Sequence, residues 1–339
     1  MCLSRAVSRW WSSSTTPAMG YLQSGRFNCR NGPSLYAIRE RMNTHETCIP
    51  CLLKQVDQTA RLFGLSDAST TEMNDRFRYL LQESHTTGSP PEMAVFIQDL
   101  LVSYTGNADP YLEIKHNSNR QALAVVEDLR ASVEDSSNPL RTAVALACAG
   151  NIIDYGVFSS GIDVRREIGA ILGRELAGIG SESTGRFQFD EFSAALDKAE
   201  HLLYIGDNAG EIVFDLILLE TIKELYPNLT IHFATRGKPI LNDVLVDDAF
   251  MVGIDSVATV ISSGVPTPGL VLSQASEEFL SLYNACDLIV SKGQGNFESL
   301  STPDPRIFFL FITKCKVVAN LVGSSLRDLV LVSKPNEPS

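Results

Sequence analysis

An acid, an amide and a second acid follow directly on an apolar run near the middle of the chain. The run 201–205 leads into the string GDNAGE at 206–211, which contains Asp207, Asn208 and Glu211. Carboxylate and side-chain amide oxygens are hard ligands, which suit Mg²⁺ or Mn²⁺ better than metals that prefer thiolates. The spacing therefore indicates a divalent-metal site where a buried strand ends. The alternative is a turn and helix cap, because Asp, Asn and Gly are the usual residues there.

Three further strand-like runs also end in polar, glycine-rich loops. The runs are 229–234, 257–261 and 287–290, and the loops that follow them are 235–243, 262–269 and 291–298. If the strands are parallel and joined by right-handed helical crossovers, all four loops lie at one edge of one sheet. Hydroxyls, glycines, cations and acids gathered there predict a pocket for a phosphate and a divalent metal.

The side chains of these loops suit a phosphate ligand. Lys292 and Arg236 supply positive charge to phosphate oxygens, and glycines let backbone N–H groups approach an anion. Glu211 either orients a water or supports the metal from outside its coordination sphere, or it is a first-turn acid favoured by the helix dipole. The loop residues expected to bind substrate are Glu211, Arg236, Ser263, Gly264, Lys292, Gly293 and Asn296.

Four strings in these loops resemble the damage-control phosphatases, a family long catalogued as domain of unknown function eighty-nine. They are GDNAGE at 206–211, RGKPILND at 236–243, SSGVPTPG at 262–269 and SKGQGNFE at 291–298. The resemblance extends upstream to the string CIPC at 48–51, DPY at 109–111 with Lys115 and Asn119, and GNIID at 150–154. It covers the chain from about Met42 to about Val332 and matches the branch that bears an N-terminal CxxC.

The resemblance implies that Asp207, Asn208 and Asp243 hold a divalent metal, which is Mn, Mg, Co or Ni. It implies hydrolysis of phosphate monoesters of small metabolites, such as sugar phosphates or damaged phosphometabolites. With Lys292, the three ligands form the expected catalytic set, and metal-activated water is favoured over an aspartyl nucleophile. The resemblance also brings Lys115 and Asn151 towards the pocket. For both residues a local structural role at a helix end is the alternative.

Two kinds of patterning divide the chain. Strands that alternate with helices over 156–332 predict an α/β fold, a Rossmann-like three-layer sandwich with a mainly parallel sheet. Helical spacing over 42–155 predicts an N-terminal helical domain, and 333–339 is a tail. The first 41 residues carry six arginines and one acid, so we expect a disordered extension or a transit-like segment.

Composition narrows the function classes. The 339 residues have 44% hydrophobic content and no apolar run long enough for a membrane span, so we expect a cytoplasmic protein, or an organellar one if 1–41 is a transit peptide. A net charge of -12 argues against nucleic acid as a partner, so we expect the partner to be a small phosphorylated metabolite. The alternative function is a non-hydrolytic Rossmann-like nucleotide-binding protein or methyltransferase, which GDNAGE disfavours because it lacks the GxGxxG spacing.

Cys48 and Cys51 form a CxxC pair outside this set of loops. A structural zinc site needs about four ligands, and no second close pair of cysteines is present in the sequence. A second metal site, a redox role and simple burial on a helix face all remain open for the pair.

Overall fold

The computed structural model describes residues 42–83, 88–150, 186–300 and 304–333. Six strands in these ranges form one sheet. They are β1 His201–Ile205, β2 Thr230–Thr235, β3 Thr259–Ser262, β4 Leu288–Lys292, β5 Ile307–Ile312 and β6 Leu329–Val332. The order is β3-β2-β1-β4-β5-β6, and each neighbouring pair is parallel except β5 and β6. The predicted α/β fold with a mainly parallel sheet is therefore confirmed.

Helices connect and flank these strands. Those in the described ranges are α1 Ile49–Leu62, α2 Asp67–Glu83, α3 Pro90–Thr105, α4 Leu112–Leu123, α5 Val126–Glu134, α6 Pro139–Gly150, α7 Phe189–Leu196, α8 Ile212–Leu225, α9 Val246–Val252, α10 Glu277–Ala285, α11 Gln294–Leu300 and α12 Lys316–Val322. Short 3₁₀ helices lie at Glu46–Cys48, Ile254–Ser256 and Leu272–Gln274. No helix in the described part of the chain is long and apolar enough to cross a membrane.

Both faces of the sheet are buried. Leu202 and Tyr204 of β1 belong to one hydrophobic cluster, and Leu203 and Ile205 belong to another. Alternate residues of a strand point to opposite faces, so a strand that is apolar throughout needs cover on both sides. The long helix α8 covers one face. Helix α6 packs against the side of α8 that points away from the sheet, so nearly all of the apolar side chains of α8 are buried.

The N-terminal helices make a third cluster. Apolar residues of α1, α2 and α3 pack together, and Ile240 and Leu241 from the loop after β2 join them. The helical segment therefore touches the loop that carries Asp243. The predicted boundary between the two domains, at residue 155, lies outside the described residues and stays a prediction.

Candidate active site

The loops after β1 and β2 are hydrogen-bonded to each other beyond the ends of the strands. Asn208 and Asp243 form an isolated antiparallel bridge. The N–H of Val244 donates to Asp207 O at 2.9 Å. Because β1 and β2 are parallel neighbours, their loops leave the sheet at the same edge. The structure thus brings the three predicted metal ligands together.

A buried arginine lies between the two carboxylates of this set. Arg236 Nε donates to Asp243 Oδ2 at 2.6 Å, and Arg236 Nη2 lies 3.6 Å from Asp207 Oδ1. On the other side, Asn208 Nδ2 donates to Asp207 Oδ2 at 2.8 Å. Arg236, which was predicted to contact phosphate, therefore orients both aspartates.

The carboxylates carry more negative charge than this single guanidinium balances. Burial, followed by the charges of Glu211 and Asp243, raises the pKa of Asp207 well above its usual range. Burial also raises the pKa of Asp243 to about 6, although Arg236 opposes the shift. Removing water from an anion and placing a second anion nearby both disfavour ionisation. A cation bound between the two aspartates would relieve both effects.

The donor set fits a hard divalent cation. Two carboxylates and an amide oxygen are the ligands that Mg²⁺ and Mn²⁺ take in proteins. Within the described ranges, no group of three or more His, Cys, Asp or Glu side chains is arranged to hold a metal ion. The amide of Asn208 is the further oxygen donor beside the two aspartates at this edge.

Lys292 is buried beneath the site. Its Nζ donates to Glu211 Oε1 at 2.5 Å, to Asp215 Oδ1 at 2.7 Å and to Ala147 O at 2.8 Å. A lysine ammonium group has three N–H donors, so these acceptors occupy all of them. Tyr204 Oη also donates to Asp215 Oδ1 at 2.8 Å. Lys292 therefore fixes Glu211, and sequence reasoning missed Asp215 because it reads as one polar position in a helix.

Helix α4 supports the loop at 206–211 from the helical segment. Asn119 Oδ1 accepts from the N–H of Gly210 at 2.7 Å, and Asn119 Nδ2 donates to Asp248 Oδ1 at 3.3 Å. Lys115 Nζ lies 3.0 Å from Asp109 Oδ2 and 3.4 Å from Asp248 Oδ2. Of the predicted pocket residues, Asn119 thus holds the loop directly, and Lys115 pairs with Asp248, to which Asn119 also bonds.

The loop after β4 approaches Asp207 closely. Gly293 has a φ of +81°, and a Cβ at this position would collide with the Asp207 carboxylate. Asn296 Nδ2 donates to Lys292 O at 2.7 Å, while its Oδ1 accepts from the N–H of Leu270 at 2.8 Å. Glycine is required at 293 for its conformation and for space, and Asn296 joins neighbouring loops.

The loop after β3 joins the same edge. Ser263 is buried, and its Oγ donates to Thr235 O at 2.7 Å. Gly264 has a φ of +76°, and a Cβ there would lie 3.1 Å from Ser276 N. Ser263 therefore helps to join the end of β3 to β2, and Gly264 packs against the residue before α10.

A cavity of about 1320 Å³ opens onto the edge that carries Asp207, Asn208 and Asp243. Its lining includes Asp207, Asn208 and Asp243, as well as Gln294 and Glu298 from the predicted loop at 291–298. Lys314 also lines it, from a loop that was not predicted to reach the site. Lys314 is exposed, and its charge lowers the pKa of Asp207. The apolar run 307–312 just before Lys314 was a signal for a further strand with a polar loop at its end.

Cys48 and Cys51 line the same cavity at the start of α1, together with Cys315. All three are free thiols, and burial raises the pKa of Cys48 and of Cys51. The CxxC pair and the edge that carries Asp207, Asn208 and Asp243 therefore line one cavity. Asn151, the remaining predicted pocket residue, lies outside the described residues.

Comparison with known protein families identifies the class of protein. The family model for the damage-control phosphatase ARMT1-like domain matches residues 44–330 of the sequence, so the chain belongs to that family.

Individual relatives agree over nearly the whole chain. A protein named damage-control phosphatase from Pyrococcus horikoshii is 33% identical over 288 residues, which are 82% of this chain and 93% of the relative. A second protein named damage-control phosphatase, from Archaeoglobus fulgidus, is 31% identical over 293 residues. The match covers 85% of this chain and 98% of that relative. The crystal structure of a P. horikoshii protein of the domain of unknown function eighty-nine family superposes with a TM-score of 0.74 at 29% identity, covering 87% of this chain and 100% of that one.

Proposed function

We propose that the chain is a metal-dependent phosphatase that hydrolyses phosphate monoesters of small metabolites, among them sugar phosphates and damaged phosphometabolites. The observation that carries the proposal is the joined pair of loops that places Asp207, Asn208 and Asp243 on the wall of a large cavity. The names of the relatives from P. horikoshii and A. fulgidus support a phosphatase that acts on damaged metabolites.

Asp207, Asn208 and Asp243 would hold the divalent ion, which is Mn, Mg, Co or Ni. The chemistry that such an ion would supply there is polarisation of the phosphoryl group and a lower pKa for an attacking water. Asn208 Nδ2 donates to Asp207 Oδ2 at 2.8 Å and lies 3.5 Å from Glu211 Oε2. These contacts turn the amide nitrogen towards the acids and leave the amide oxygen as the ligand atom.

The cations of the site have separate tasks in this proposal. Lys314 lies on the cavity wall and is exposed, so it binds the phosphoryl oxygens of the substrate. Arg236 keeps Asp243 and Asp207 oriented and adds positive charge behind them. Lys292 holds Glu211 in place without reaching the cavity. Fixed cations of this kind stabilise the charge that develops on the transferred phosphoryl group.

The size of the cavity matches a metabolite. A volume of about 1320 Å³ exceeds what one phosphate group fills and leaves space for an organic part. Its lining includes polar side chains beside apolar ones, among them His45, Thr47, Gln55 and Asn320. Hydroxyl-bearing substrates such as sugar phosphates find hydrogen-bond partners in such a wall.

A phosphate-release screen tests the proposal. The full chain is assayed against sugar phosphates and phosphorylated cofactors with Mg²⁺, Mn²⁺, Co²⁺ or Ni²⁺, with Asp207→Ala as the control. We expect release that needs added metal and disappears in the variant, which keeps its fold. Tight nucleotide binding without phosphate release would instead favour the nucleotide-binding module.

A further inference from the structure

Helix α11 lies along the cavity, beside the proposed metal ligands Asp207, Asn208 and Asp243. It begins directly after Gly293, whose backbone lies against the Asp207 carboxylate. Gln294, Gly295 and Glu298 of this helix line the cavity. Residues four apart share one face of an α-helix and are separated by about 6 Å along its axis. Glu298 therefore lies one helical turn further along the cavity than the residues next to Asp207.

The carboxyl group of Glu298 is held by a fixed partner. Gln294 Nε2 donates to Glu298 Oε1 at 2.7 Å. Gln294 Oε1 in turn accepts from the N–H of Lys314 at 2.9 Å. The orientation of Glu298 is thus linked through Gln294 to the loop that carries Lys314, the cation proposed to bind the phosphoryl oxygens.

The surroundings of Glu298 favour its protonated form more than water does. Lys314 faces it from the loop after β5, Cys51 from α1 and Cys48 from the 3₁₀ helix just before α1. Burial raises the pKa of Glu298 to about 7, against the opposing effects of the Gln294 hydrogen bond and the Lys314 charge. In contrast, the other buried glutamate of the site, Glu211, is paired with Lys292.

We propose that Glu298 is the general acid of the phosphatase reaction and protonates the leaving oxygen of the phosphate ester. This inference rests on the proposed function. In the step, a water oxygen forms a bond to phosphorus and the bond from phosphorus to the ester oxygen breaks. The electron pair of that bond stays on the leaving oxygen, which takes the proton of Glu298. The proton that the water loses returns to Glu298 through solvent, so the products are an alcohol and inorganic phosphate.

The chemistry of the substrate class calls for such a group. The alcohol oxygen of a sugar is a poor leaving group when it departs as an alkoxide, and negative charge develops on it as the bond to phosphorus breaks. A positioned general acid contributes on the order of 10²–10⁴ in rate for such a step. An aryl ester with an acidic phenol needs no proton in its transition state.

Paired substrates test this role in the full chain. Wild type and Glu298→Gln are assayed with p-nitrophenyl phosphate and with the best sugar phosphate of the screen. We expect the variant to lose on the order of 100-fold in kcat for the sugar phosphate and only a few-fold for the aryl ester. The alkaline limb of the kcat profile for the sugar phosphate should also disappear. Glu224→Gln, an exposed glutamate outside the cavity lining, is the matched control.

Equal losses on the two esters would overturn the role of Glu298, as would an alkaline limb that persists in the variant. If Glu298→Gln does not fold, the wild-type profiles still decide, because only the sugar phosphate should show a limb near pH 7. Phosphate release that depends on Asp207 but falls equally for both esters would reject the general acid alone. No release from any substrate with any metal would reject the proposed function and this inference together.

Discussion

Arg236 Nε lies 2.6 Å from Asp243 Oδ2, and both side chains are buried. The guanidinium therefore occupies the side of the aspartate that faces Asp207, where it balances part of the charge that a divalent ion would otherwise balance. The arginine and the proposed metal share the same carboxylates. This sharing makes the stability of the site depend on which cations are present.

Removal of the arginine tests that dependence. We expect Arg236→Ala to destabilise the metal-free protein by about 3–5 kcal/mol, because loss of one partner leaves buried carboxylates uncompensated. Saturating Mn²⁺ should then raise the free energy of unfolding more in the variant than in wild type, because the positive charge of the guanidinium no longer repels the bound ion. Urea unfolding with and without Mn²⁺ measures both effects. Equal metal-induced increments in the two proteins would show that the arginine and the ion do not share the carboxylates.

Asn119 supports the ligand loop through its hydrogen bond to the N–H of Gly210. We expect Asn119→Ala to weaken Mn²⁺ binding by about 10–100-fold, the usual effect of removing a group that orients metal ligands from outside the coordination sphere. The matched control is Asn117→Ala, since Asn117 is exposed on the same helix and accepts a hydrogen bond from the neighbouring Arg120. Calorimetric titration with Mn²⁺ compares the variants, and an unchanged affinity in Asn119→Ala would contradict the account.

Substitutions at two glycines with similar backbone conformations can distinguish backbone strain from a steric clash of the added Cβ. Gly293 and Gly253 have φ values of +81° and +91°, but only at Gly293 would a Cβ meet the Asp207 carboxylate, while at Gly253 it meets nothing within 4 Å. We expect Gly253→Ala to cost about 1 kcal/mol of stability, the scale of left-handed strain in a non-glycine residue. Gly293→Ala should in addition abolish metal-dependent phosphate release. Similar activity in the two variants would argue against the close contact of Gly293 with the site.

The protonation of Glu298 predicts a pH dependence of stability. Its folded-state pKa of about 7 is raised above the ordinary value of 4.5. The stability it contributes is therefore fully present below about pH 4.5 and is lost as the pH rises through about 7, with an upper bound of about 3 kcal/mol. Glu298→Gln cannot ionise, so its stability relative to wild type should rise over this interval. Chemical unfolding at pH 5 and pH 8 checks the sign, and a constant difference would contradict it.

The sequence predicted those parts of the site that depend on one strand and the loop after it. The apolar run 201–205 and the acids behind it indicate a strand with polar residues at its end, and parallel pairing then brings Asp207 and Asp243 together. Lys314 follows the same rule after β5, but the run before it was not recognised as a strand.

Other parts of the site could not be predicted because they depend on contacts between distant elements. Lys292 looks like a cation in a glycine-rich loop, and only the packing of α6 and α8 shows that Ala147, Glu211 and Asp215 surround it. Likewise, Cys48 and Cys315 are far apart in sequence but line one cavity. The antiparallel edge strand β6 was also missed, since a four-residue apolar run carries no sign of its direction.

The central claim is that Asp207 and Asp243 hold one catalytic cation. The most direct test titrates Mn²⁺ into metal-free wild type, Asp207→Ala and Asp243→Ala and measures phosphate release from the same samples. We expect wild type to bind one ion per chain at this edge and to gain activity with occupancy, while both variants unfold cooperatively but lose the ion and the activity together. Wild-type release that persists after complete removal of metal, or undiminished release by either variant, would contradict the claim.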